Sequence, residues 1–253
     1  MSATSNVGEK MKPESKTDAA RVPQLSSNDI ELKAEEVIKF FDPAILASAK
    51  PTPVREFALE TKRRFGVDFR DDIDLGSGGA GRKCLGQFRI KPRGIFIDVS
   101  LNGSDRLPFV LAHEYGHLVL HRHIDPQKSG YSTSSIEDTE YDFVTNRKRF
   151  LTPRDWIEWQ ANRFAAALLM PRATFSDSLI DFHKSQGIQR NIGVVFVDAT
   201  ASSRHEFGLI VGHLTEVYGV NRTNIECRLR DLELLQDHRS PSTHHISELL
   251  KEE

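Results

Sequence analysis

Four of the chain's ten histidines fall in one stretch, FVLAHEYGHLVLHRH, residues 109–123. Within it, His113-Glu114-Tyr115-Gly116-His117 is an HExxH pattern. On an α-helix, residues four apart lie about 40° from each other in projection and one turn apart along the axis. His113 and His117 can therefore point at one divalent ion, each with a nitrogen about 2.0–2.1 Å from it. Glu114 lies about 60° from His117 in the same projection. It is aimed too poorly to displace an imidazole but stands near enough to touch a water beside the ion. Zinc lowers the pKa of such a water toward about 7, and the carboxylate can take its proton. Zinc is the expected ion, with manganese as the alternative.

A catalytic zinc has three protein ligands and one open position. Two residues compete for the third place. His123 stands ten positions after His113, as in the longer pattern HExxHxxGxxH, but that pattern turns the chain at a glycine where this sequence has Leu120. Glu158, in EWQANRFAAALLMP, offers a carboxylate, with Asn162 one turn further on the same helix face. Glu158 would complete a His2Glu set, and Asn162 would hold one of the ligands in place. Gly116 costs its helix roughly 1 kcal/mol relative to alanine, which implies close approach of another backbone or helix. His121, one turn past His117, suits either support of a ligand or the helix dipole. Tyr115, Tyr131, Tyr141, His205 and His213 are each candidates to stabilise an oxyanion. Cys84 is a thiol upstream of the motif that could cap the ion.

These residues need elements to hold them. Residues 1–28 are polar and aperiodic, and are expected to form a disordered tail. Helical spacing follows in Ile30, Leu32, Val37, Ile38, Phe40 and Phe41, and again from Pro53 to a stop at Gly66. GVDFRDDIDLGSGGAG reads as a strand and a glycine-rich connection without phosphate-binding spacing. CLGQFRIKPRGIFIDVSLN alternates about a turn at Lys91-Pro92-Arg93-Gly94, the mark of a hairpin. Its second strand, near Ile95–Val99, is where an extended substrate would pair. Asn102, Ser104 or Asp105 can cap the histidine helix, with Pro108 in its first turn. Residues 125–151, with an acidic patch (Glu137, Asp138, Glu140, Asp142) and then a basic one, read as an exposed insertion or a substrate-facing loop. Thr152, Pro153 and Asp155 open the helix of Glu158, which Pro171 ends. A helix around Phe175–His183, a strand at IGVVFVD and a helical last third follow.

The fold expected is α+β, with a helix-turn-helix-like region at 201–238 and a polar tail at 239–253. In LTEVYGVNRTNIECRLRDLELL, Gly219 marks the turn. Between Leu209 and Arg239 there are four arginines and five acidic residues, so the region carries no footprint for phosphates and reads as a packing or docking module.

With 253 residues, 38% hydrophobic and 28% charged, the chain suits one good-sized soluble domain, or one with a small appendage. A net charge of −2 gives no pull toward nucleic acid or anionic membrane. Two distant cysteines, Cys84 and Cys227, exclude a disulfide framework and a cysteine-based zinc site. The N-terminus has no apolar core, and the longest apolar run, Phe164 to Met170, is too short for a bilayer. A cytoplasmic location is expected.

FVLAHEYGHLVLH followed by EWQANRFAAALLMP resembles the ImmA/IrrE family of zinc metallopeptidases, and the preceding strand GIFIDVSLN fits it. The resemblance covers about residues 50–175. It implies a zincin-like peptidase core with His113, His117 and Glu158 as zinc ligands and Glu114 as the catalytic carboxylate. It further implies a protein substrate, a helix-turn-helix repressor of the XRE type, whose cleavage releases stress-response or mobile-element genes. The stretch from His117 to Glu158 is longer here than is usual in the family. A rival expectation is a regulator that binds a repressor or DNA without cutting it, its metal site structural or vestigial.

Overall fold

The computed structural model describes residues 22–77, 81–130, 135–139, 152–189 and 191–239. Helices and a small mixed sheet make an α+β arrangement. The tail expected at 1–28 gives way to structure early. Val22 and Leu25 already pack on the core, and helix α1 (Ser27–Phe41) starts from a capping box between Ser26 and Asp29. Helix α2 (Val54–Phe65) stops where Gly66 takes a left-handed conformation, φ 65°.

Strands β1 (Asp68–Ile73), β2 (Cys84–Ile90) and β3 (Arg93–Asp98) join β4 (Ser135–Thr139) in one sheet, in the order β1-β3-β2-β4. The β2–β3 hairpin is antiparallel, as alternation predicts, and β1 lies parallel to β3. Both edges of β3 are thus occupied, which corrects the expectation that this strand pairs with a substrate. β4 is the larger surprise. It lies inside the segment read as an exposed insertion, yet it is largely buried and runs antiparallel to β2. The polar composition of SIEDT hides the strand, because its order comes from pairing with β2 rather than from local preference.

Helix α3 (Leu107–Leu120) carries the HExxH residues. Pro108 sits in its first turn as expected, but Arg106 occupies the N-cap position and makes no side-chain cap. Helix α4 (Pro153–Leu169) begins with the predicted Thr152–Asp155 capping box and ends before Pro171. Gly116 is where α3 meets α4: a Cβ there would lie 3.1 Å from Phe164 Cδ1 and 3.3 Å from Ala161 O. That contact accounts for a glycine in mid-helix.

Helices α5 (Arg172–Ser185), α6 (Ala201–Tyr218) and α7 (Arg222–Asp231) follow, with β5 (Val195–Val197) paired in parallel to β6 (Leu235–Asp237). Gly219 makes the α6–α7 turn in a left-handed conformation. Phe207, Leu214, Tyr218, Ile225 and Leu229 enter the same hydrophobic core as α1, α3 and α4. Arg228 is fully buried; it donates to both carboxylate oxygens of Glu31, at 2.6 and 2.9 Å, and to Met170 O. The last third is therefore not wholly helical, and its second helix is spent on packing. Among the described residues, no helix is long and apolar enough to cross a membrane.

Candidate metal centre

The site forms where α3, α4 and the α3-facing side of the sheet meet. His113, His117, Glu158 and, unforeseen from sequence, Asp138 place one ligand atom each within 4.8 Å of all the others. All four side chains, and Glu114 with them, are fully buried. His113 Nε2 and His117 Nε2 are 2.9 Å apart. Glu158 Oε2 lies 3.2 Å from the first and 3.7 Å from the second. Asp138 Oδ2 lies 3.5 and 3.3 Å from the same two nitrogens. A tetrahedron with ligands about 2.0–2.1 Å from a central zinc has edges of about 3.3–3.4 Å. The donor atoms already stand near that spacing.

The orientation of each imidazole is fixed from behind. His113 Nδ1–H donates to Asn162 Oδ1 at 2.9 Å, which leaves Nε2 for the ion, the role expected of Asn162. His117 Nδ1–H donates to His121 Nδ1 at 2.9 Å, and His121 Nε2–H donates to Gln160 Oε1 at 3.0 Å. Gln160 in turn donates to Pro23 O, so the N-terminal segment anchors the chain of bonds. Burial first, then the neighbouring His117, holds His121 well below the usual histidine pKa, so it stays neutral and accepts. His121 thus supports a ligand.

Burial alone would lower the His113 pKa, but Asp138 and Glu158 outweigh it and push it up to about 10. His117 is raised by the same balance. For Asp138, burial acts upward, yet His113 and His117 hold it well below the usual carboxylate range. Glu114 is raised, by burial and by the carboxylate of Asp138. Neither oxygen of Glu114 meets a hydrogen-bond donor among the described residues, and Asp138 faces the two imidazoles at 3.3 and 3.5 Å. Three buried carboxyls beside two imidazoles fit a divalent cation.

Gly86 completes the pocket. It lies opposite Asp138 in the β2–β4 register, and a Cβ there would fall 2.0 Å from Glu114 Oε1. Only a residue without a side chain leaves room for the carboxylate. The other candidates go elsewhere. His123 is exposed and accepts from Arg122, and Tyr115 bonds Thr61 at 2.6 Å. His213 stacks on Phe182, and His205 is exposed. Tyr131 and Tyr141 lie outside the described residues. The Cys84 thiol donates to Gly86 O, and burial, then Asp138 and Glu137, push its pKa up to about 12, far from a thiolate.

Residues 77–199 match the family model Peptidase_M78, the IrrE N-terminal-like domain. The match covers 123 of the 253 residues, so this segment is similar to that domain. The matched segment spans β2, β3, α3, β4 and α4, and so contains every residue of the metal cluster. A search of curated proteins returns no match. Within the matched segment, Asp138 is the residue that sequence reasoning missed. Ile136 and Asp138 alternate onto one buried face, but Glu137 and Glu140 beside them give the segment the look of a solvated acidic patch. Glu140, Asp142 and the basic run at 147–149 lie outside the described residues.

Proposed function

We propose that the chain is a zinc-dependent endopeptidase with a zincin-like core, and that its substrate is an XRE-type helix-turn-helix repressor. The observation that supports this most is the convergence of His113 Nε2, His117 Nε2 and Glu158 Oε2 beside a buried Glu114 carboxyl that no donor meets. When bound, a zinc ion supplies Lewis acidity toward the scissile carbonyl and eases deprotonation of water. The chain's own residues do the rest. His113 and His117 are held by Asn162 and His121 so that only Nε2 faces the ion. Glu114 takes the proton of the attacking water on a carboxylate oxygen and returns it to the leaving amine nitrogen. The α6–α7 pair serves packing and docking in this reading, and direct DNA contact has no part in it.

Purified, zinc-loaded protein incubated with a co-encoded repressor should yield discrete fragments. Glu114→Gln should keep zinc and lower the rate at least about 10²-fold. Equal cutting by that variant would remove Glu114 from the mechanism. One observation favours a second reading, in which the protein binds a repressor without cutting it. Four protein donors in a dry cluster are the arrangement of a structural zinc, whereas catalysis keeps a position open. Loss of repression without fragments would favour that reading.

A further inference from the structure

The geometry points to Asp138 as a fourth protein ligand that closes the metal site, carried there by β4 acting as a tethered stand-in for the substrate strand. The inference rests on the peptidase reading and explains why its site is sealed.

Three observations converge. First, Asp138 Oδ2 is placed as Glu158 Oε2 is, within 3.5 Å of one imidazole nitrogen and 3.3 Å of the other. The two imidazoles and Glu158 supply three corners of a coordination tetrahedron, and Asp138 takes the corner that a hydrolytic site leaves to water. Second, Glu114 Oε1 lies against Gly86, the β2 residue directly opposite Asp138, so the Asp138 carboxyl enters the pocket from the strand position next to the base. Third, β4 pairs antiparallel along the edge of β2, with Ile136 opposite Phe88 and Asp138 opposite Gly86. An extended peptide adds to a free sheet edge in this manner, with backbone bonds for affinity and alternate side chains in pockets. Without β4, the edge nearest the ion is β2. With β4 in place, His113, Glu114, His117 and Glu158 are all fully buried, and an extended backbone has no route to them. Displacing β4 from β2 frees the sheet edge and the fourth corner in one movement.

Cobalt(II) loaded in place of zinc, with acetohydroxamate as the probe, reads the open corner without relying on turnover. The parent should show a visible spectrum that acetohydroxamate changes little. Asp138→Ala should bind the probe at least about tenfold more tightly, because the closed population no longer competes. Ile136→Ala leaves Asp138 in the chain but loosens β4, and should tighten binding in the same direction. Hydrolysis of an unstructured peptide should rise in both variants. Tight acetohydroxamate binding by the parent would overturn the latch. So would loss of cobalt by Asp138→Ala while Ile136→Ala behaves as the parent, since Asp138 would then be an ordinary ligand. If both variants bind the probe tightly yet cut nothing, the latch stands and the peptidase reading falls.

Discussion

The chemistry of the site depends on a few side chains whose positions are set by what stands behind them. Glu114 is the sharpest case, because the space for its carboxyl exists only through the missing side chain at Gly86. Gly86→Ala should push that carboxyl out of line, since the atoms nearest the added Cβ all belong to Glu114. A displacement of about 1 Å in a reacting group can lower a rate about 10²-fold. Zinc titration of the variant should match the parent while fragment production drops by that order. Unchanged cleavage would mean that Glu114 is not held against β2. At this scale the sequence was generous. HExxH spacing brought His113, Glu114 and His117 together on one helix, and Asn162 followed from its place one turn after Glu158. Asp138 and Gly86 were invisible. Each owes its role to a neighbour far along the chain, and neither residue type signals chemistry by itself in an acidic run or a strand.

Elements fix the distances between these residues. Helices α3 and α4 approach closely enough at Gly116 that a Cβ would touch Phe164 and the backbone of Ala161. One helix carries both imidazoles and the other carries Glu158, so their separation sets the span of the site. Gly116→Val should cost about 1–3 kcal/mol through overpacking. The same substitution should weaken zinc binding, because α4 must retreat and take Glu158 with it. Thermal unfolding and zinc titration on one sample test this; lowered stability with unchanged affinity would show that helix spacing does not govern the site. The helices were legible because capping boxes, prolines and apolar periodicity all agree locally, as at Thr152–Asp155 and Gly66. The strands were legible where a hairpin keeps partners adjacent in sequence, as in β2 and β3. β4 and β6 failed that condition. Their partners lie far away in the chain, so nothing local marks SIEDT or LQD as strand.

The molecule as a whole ties its two ends to the centre. Glu31 on α1 and Arg228 on α7 meet across the interior, and Arg228 also satisfies Met170 O at the end of α4. The C-terminal helices thus stabilise the helix that carries Glu158. Arg228→Ala should cost about 3–5 kcal/mol, because it strands a carboxylate inside the protein. The pair Glu31→Leu and Arg228→Met should recover most of that loss, since two apolar residues leave no charge unpaired. Calorimetry of the single and double variants decides between a packing role for α7 and a free-standing module, for which Arg228→Ala would leave the core transition unmoved. The central claim is that two imidazoles and carboxylate oxygen hold one divalent ion between α3, α4 and β4. X-ray absorption on the zinc-loaded protein tests it most directly. The account predicts one zinc per chain with only nitrogen and oxygen neighbours at about 2.0–2.2 Å, including the signature of imidazole. A sulfur neighbour at about 2.3 Å, the mark of Cys84, or no stoichiometric zinc at all, would contradict it.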